Sequence, residues 1–125
     1  MRLYLDTNII MDFLLGRNEP SCELMDDTMR CLHDVLVSDH ALRELRRHGL
    51  DGEVFLKVLR ACGKLSTCSA TPEDAVLAEK ESGTHRADAL HAILAKRHAA
   101  DIIVTNNIKD FRTIRGIPVR RPDEI

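Results

Sequence analysis

A chain of 125 residues, 44% of them hydrophobic, has material for one core and none for a second of ordinary size, so a single domain over residues 1–125 is expected. Aromatics at 3%, namely Tyr4, Phe13, Phe55 and Phe111, leave that core to aliphatic side chains and argue against aromatic platforms for stacking bases. The net charge of −2 argues against a uniformly basic polyanion binder, and the longest apolar runs are too short for a membrane span or a signal peptide, so a cytoplasmic protein is expected.

Along the chain, Leu3 to Leu5 reads as a short strand that ends at Asp6. Ile9, Ile10, Phe13 and Leu14 then recur at helical spacing, and Gly16 stops that helix. A second helix after Pro20 carries Leu24, Met25, Thr28 and Leu32 on one face. Val35, Leu36 and Val37 form an uninterrupted apolar run, the pattern of a strand covered on both sides. Ser38 or Asp39 caps the next helix, which turns Ala41, Leu42 and Leu45 inward and stops at Gly49. Glu53 to Ala61 predicts another helix and Leu65 to Cys68 a strand. Thr71, Pro72 and Asp74 then mark a helix start: Thr71 caps, Pro72 takes the first helical position and Asp74 complements the dipole. The alanine-rich stretch from His85 to Ala99 predicts a helix leading into the buried strand Ile102 to Val104, and Ile117 to Val119 predicts an edge strand.

Strands that alternate with helices and read as solid apolar runs predict an α/β domain of three layers, α/β/α, around a central parallel sheet. Such sheets bind ligands at the carboxyl ends of their strands, where the connections diverge to opposite faces. Asp6 follows the first strand directly, and Thr105, Asn106 and Asn107 follow Val104.

Cys22, Cys31, Cys62 and Cys68 make no C-x-x-C pair and have no histidine at zinc spacing, so buried free thiols are expected. Charge is unevenly spread. Residues 17–39 hold two bases and six acids, net −4, whereas residues 96–121 hold seven bases and two acids, net +5. That basic stretch suits either a phosphate backbone or plain solvation.

Four acids fall at the ends or beginnings of elements: Asp6, Glu44, Asp88 and Asp110. Each has a structural explanation of its own. Asp6 or Thr7 caps a helix; Glu44 sits exposed at the flank of an apolar face; Asp88 favours the dipole of its first turn; Asp110 completes a cap begun at Asn107. Delivered together to one sheet edge, however, such carboxylates make a site for a hard divalent cation, and crowding should make at least one of them hold its proton more tightly. His85, Asp88 and His91 also suggest a transition-metal site, but successive i,i+3 steps rotate away from a single point.

The segments LYLDTN, IIMDFLLGR, VSDHALREL, RADALHAILA and DIIVTNNIKDF, in that order over nearly the whole chain, resemble the PIN-domain family. The likeness is to bacterial and archaeal members, many of them VapC-type toxins of toxin–antitoxin pairs. It implies an Mg²⁺- or Mn²⁺-dependent ribonuclease with Asp6, Glu44, Asp88 and Asp110 as catalytic carboxylates and metal ligands. It further implies that Asn8, Thr105 and Asn107 orient those carboxylates or bind water or phosphate, and that products carry 5′-phosphate and 3′-hydroxyl ends. One common form of the pattern has an acid where this chain has Asn107, so Asp110 or Asn107 fills the fourth position. Arg43, Lys109, Arg112 and Arg115 are the candidate RNA contacts. Implied partners are an RNA substrate, an antitoxin whose basic side chain enters the pocket, and a second copy of the chain, with Pro20 to Leu32 as the candidate dimer helix. The alternatives are a catalytically silent PIN-fold binding module and an RNA-processing nuclease without an antitoxin. An aspartyl-phosphate phosphatase would want a second acid where Asn8 stands.

Overall fold

The computed structural model describes residues 1–30, 32–81 and 86–125. Strands β1 (Arg2–Leu5), β2 (Asp34–Ser38), β3 (Leu65–Cys68), β4 (Ile102–Val104) and β5 (Val119–Arg120) pair in parallel throughout, in the order β3-β2-β1-β4-β5. Between them run helices α1 (Thr7–Leu15), α2 (Glu19–Met29), α3 (Asp39–Arg47), α4 (Glu53–Ala61), α5 (Pro72–Glu81) and α6 (Arg86–Arg97).

Alternation along the strands builds two cores. Leu3, Leu5, Val35, Val37 and Val104 face α1 to α4, where they meet Ile9, Ile10, Leu24, Met25, Ala41, Leu45, Leu56 and Leu59. Tyr4, Leu36 and Ile103 face the other way, onto Ala92, Leu94 and Ala95 of α6 and onto Phe111. Helix α5 packs on α6 through Ala78, Ala89 and Ile93. The result is the three-layer α/β/α arrangement expected from the sequence. Each large aliphatic side chain so buried contributes roughly 1.5–3 kcal/mol, which is why these short strands persist.

Local signals explain the element boundaries. Gly16 adopts φ 63°, a left-handed turn that ends α1 and that a side chain would strain. Ser38 caps α3 by accepting from the Ala41 amide at 3.0 Å. Helix α2 starts at Glu19, with Asn18 as its cap and Pro20 in its first turn.

Several expectations need correction. Leu32 lies past the end of α2 and is exposed, so it takes no part in that helix's buried face. The apolar side of α2 is itself covered, at Leu24, Met25 and Thr28, and among the described helices exposed large apolar residues sit on α1 (Leu15), α4 (Val54, Val58) and α5 (Val76, Leu77). The edge strand is Val119–Arg120 rather than Ile117 to Val119. Cys22 and Cys62 are only half-buried, Cys68 is buried and all three are free thiols; Cys31 lies outside the described residues. The described helix α6 begins at Arg86, and His85 also lies outside the described residues.

The chain runs from β1 outward to β2 and β3, then returns across β1 to β4. Connections therefore leave β1 and β4 toward opposite faces, and a crevice opens at the carboxyl ends of these two strands. The Asp6 amide donates to the Val104 carbonyl at 3.0 Å and so pins both ends together.

Candidate metal centre

Asp6 emerges from the end of β1 and caps α1, with Oδ1 accepting from the Thr7 amide at 2.8 Å. Its other oxygen turns toward β4. Oδ2 accepts from the Thr105 hydroxyl at 2.7 Å and from Asn8 Nδ2 at 3.0 Å. Thr105, fully buried, in turn accepts from the Asn107 amide at 3.0 Å. Asn8 Oδ1 accepts from the Asn106 amide at 3.2 Å. Asp6 is thus both a helix cap and the centre of a network of neutral donors that leaves its charge uncancelled.

Helix α3 contributes Glu44, half-buried, whose Oε1 lies 2.7 Å from Nε2 of His40 one turn earlier. The His40 hydrogen bond holds the Glu44 carboxyl below its usual range, against the upward push of burial. Glu44 is therefore not a carboxylate that crowding makes hold its proton more tightly. Helix α6 contributes Asp88 in its first turn and, one turn on, His91. His91 is only 3% exposed, and its Nδ1 lies 2.5 Å from the Tyr4 hydroxyl. Burial pushes its imidazole down, away from the protonated form, and pushes the Tyr4 phenol up.

Across from these helices, the 3-10 turn Ile108–Phe111 presents Asp110, and Asn107 precedes it. The cleft so formed is lined by Asp6, Thr7, Asn8, Met11, Glu44, Ala87, Asp88, His91, Asn107 and Asp110 and has a volume of about 180 Å³. All four sequence-selected carboxylates line it, with Asn8 and Asn107. Thr105 stands behind the wall as a support. Asn107 makes no side-chain cap for the turn that holds Asp110, so capping does not account for that pair.

The basic candidates divide. Lys109 and Arg112 line an adjoining groove with Asn106, Asn107, Ile108 and Arg121, so Asn107 borders both spaces. Arg43 lines neither; it pairs with Asp39 on its own helix at 3.6 Å. Arg115 is exposed and also lines neither. Arg121 was not among the residues selected from the sequence, nor was Asn106, whose Nδ2 ties Asp12 (2.8 Å) to Ser21 (3.0 Å) behind the cleft. His40 was missed too. The imidazole facing His91 is that of His40, from α3, with ring centroids 5.2 Å apart. The i,i+4 spacing of His40 and Glu44 was the signal available.

A divalent cation fits this chemistry. The donors are hard anionic oxygens, and among the described residues no lysine or arginine side chain lines the cleft to neutralise them. The buried Thr7 hydroxyl on the wall makes no hydrogen bond of full geometry, although it lies close enough to Glu44 to help lower its carboxyl.

Comparison with known proteins agrees with this architecture. The PIN domain family matches residues 2–109. The chain is similar in structure to VapBC2 from Rickettsia felis, bound to a DNA fragment from its promoter: TM-score 0.67, 19% identity, 97% of this chain and 98% of that one covered. It is similar to a toxin–antitoxin complex from Klebsiella pneumoniae (TM-score 0.65, 20% identity, 96% and 97% covered). It is also similar to the PIN domain endonuclease Utp24 (TM-score 0.53, 24% identity, 96% and 84% covered). At these identities the likeness is one of fold. No curated protein matches the chain. Among the described residues, no helix is long and apolar enough to cross a membrane.

Proposed function

We propose a function from one premise: the chain belongs to the PIN-domain family. On our reading it is a divalent-metal-dependent endoribonuclease, one PIN-like domain over residues 1–125, acting in the cytoplasm as the toxin of a type II toxin–antitoxin pair. The observation that supports this reading most is the convergence of Asp6, Glu44, Asp88 and Asp110 on one cleft at the carboxyl ends of β1 and β4.

In this reading Asp6, Glu44, Asp88 and Asp110 hold Mg²⁺ or Mn²⁺, with Asn107 as the alternative to Asp110. The ion, when bound, supplies Lewis acidity toward water and phosphate oxygen. The remaining work belongs to the protein. Thr105 and Asn8 fix the orientation of Asp6, and the His40 hydrogen bond keeps Glu44 ionised. Lys109 and Arg112 in the adjoining groove hold backbone phosphates of the RNA, and Asn107, shared by both spaces, steers the scissile phosphate toward the carboxylates. Water adds to phosphorus and the bond to O3′ breaks. One water proton goes to the departing oxygen and the other to solvent, leaving a 5′-phosphate and a 3′-hydroxyl. The antitoxin acts by placing a basic side chain among the carboxylates, and the protein works as a homodimer.

The test is cleavage of a labelled RNA with and without Mg²⁺ or Mn²⁺. Asp6→Asn and Asp88→Asn are each expected to lower the rate by at least 10²-fold, in line with the loss of a transition-state electrostatic contact, while circular dichroism shows an intact fold. Undiminished cleavage in either variant overturns the assignment. Calorimetry with Mn²⁺ separates the enzyme from a silent binding module, which would show no binding that depends on Asp6. Co-purification with the product of an adjacent short reading frame distinguishes a toxin from a solitary processing nuclease.

A further inference from the structure

A second donor set overlaps the carboxylate cleft. His40, Glu44 and His91 each bring one donor atom within 4.8 Å of the others, with His40 Nε2 and His91 Nε2 at 2.7 and 3.9 Å from Glu44 Oε1, on two helices that pack on opposite faces of the sheet. His91 Nδ1 is engaged by Tyr4, which fixes the ring and leaves Nε2 aimed into the cleft. There it stands 3.7 Å from Asp6 Oδ1 and 3.9 Å from Glu44 Oε1, beyond hydrogen-bonding distance of either. The His91 ring is only 3% exposed and its Nε2 faces two anions without a bond to either, an arrangement that a cation held between them would complete. A hydrogen bond to the far ring nitrogen is also the usual way a metal-binding imidazole is oriented.

The donor types decide which cation. Two imidazole nitrogens and one carboxylate oxygen suit borderline transition ions rather than Mg²⁺. In a tetrahedral site with bonds of about 2.0–2.1 Å, donors stand about 3.3 Å apart. The observed 2.7 Å from His40 to Glu44 and 3.9 Å from His91 to Glu44 bracket that spacing, so small side-chain adjustments, with release to solvent of the Nε2 proton that His40 gives Glu44, close the set on an ion. Asp6 Oδ1 or water is available for the fourth position.

We propose that His40, Glu44 and His91 form a site for a borderline transition ion such as Zn²⁺, and that through the shared Glu44 this ion competes with hard-ion loading of the carboxylates. The site goes beyond the nuclease reading and stands without it.

Titration of the full-length protein with Zn²⁺, and with Co²⁺ as a spectroscopic probe, tests the proposal. Co²⁺ is expected to give the visible absorption of a low-coordinate nitrogen-containing site, and Zn²⁺ to abolish it at one equivalent. His40→Gln, at a side chain that is only half-buried, should weaken Zn²⁺ by at least tenfold and weaken it more than Mn²⁺. Tyr4→Phe, which frees the His91 ring, should weaken Zn²⁺ by about tenfold. Asp88→Asn should do the reverse of His40→Gln, weakening Mn²⁺ and sparing Zn²⁺. Zn²⁺ affinity within threefold of the unaltered protein in His40→Gln, or a Co²⁺ spectrum indifferent to that substitution, overturns the proposal. Failure of Mn²⁺ to bind through Asp88 would instead count against the nuclease reading and leave a His40-dependent Zn²⁺ site in place.

Discussion

The Thr105 hydroxyl donates to Asp6 Oδ2 and accepts from the Asn107 amide and, at 3.3 Å, from Asn8 Nδ2. One uncharged oxygen thereby joins the turn after β1 to the turn after β4. Thr105→Val has nearly the same shape but removes every one of these bonds inside a fully buried position. It is expected to cost roughly 1–3 kcal/mol, because the stranded polar groups lose their partners. It should also weaken Mn²⁺ binding by loosening Asp6. Urea denaturation and calorimetry on the variant check the two effects separately, and stability within a few tenths of a kcal/mol of the parent would show that the network is not a support. The place of Thr105 directly after a buried strand was legible in the sequence, whereas its supporting role and that of Asn8 came from the resemblance to the PIN-domain family. For His40 the sequence offered only its i,i+4 spacing to Glu44, since the rest of its meaning depends on a helix from the other side of the sheet bringing His91 within reach.

At the scale of elements, the start of α5 shows how a cap also fixes a helix to its neighbour. Thr71 Oγ1 accepts from the Asp74 amide at 3.2 Å while Asp74 Oδ2 accepts from the Thr71 amide at 2.9 Å, and Arg97 of α6 pairs with the same carboxylate. The Thr71 amide first, then the Thr71 hydroxyl and Arg97, hold the Asp74 carboxyl below the usual carboxylate range. A depressed folded-state value means stabilisation that is complete above the unfolded value of 3.8 and is lost as pH falls through the folded one. Asp74→Asn is therefore expected to lower stability at pH 7 and to flatten its decline below about pH 4; thermal melts from pH 7 to pH 2.5 would show parallel curves if the expectation is wrong. Elements of this kind were legible wherever a capping residue or a glycine punctuated an apolar run, as for α4, β3 and β4. The edge strand β5 was misplaced because its register, Val119 opposite Ile103 and Arg120 opposite Val104, is set by its neighbour and not by any apolar pattern of its own.

Across the whole molecule, an acidic cleft opens beside a basic groove, with Asn107 on the boundary. The net charge of −2 conceals this polarity, and the basic run was visible in the sequence only as an accumulation along residues 96–121. What the sequence lacked was the folding that separates Lys109 and Arg112 from Arg115 and adds Arg121 from beyond β5. Replacing Lys109, Arg112 and Arg121 together by alanine, in an Asp6→Asn background that cannot cleave, should reduce the salt dependence of single-stranded RNA binding by about two units of log K against log salt. Fluorescence anisotropy at several ionic strengths gives the slope, and an unchanged slope would mean that the strand follows another path.

The bond between Thr105 and Asp6 spans 99 positions of sequence. During synthesis the Asp6 carboxylate has therefore long left the exit tunnel before the residues that orient it are polymerised, and the cleft is completed only after β4 is made. A chain truncated before β4 therefore lacks the residues that orient Asp6, however well its earlier helices fold.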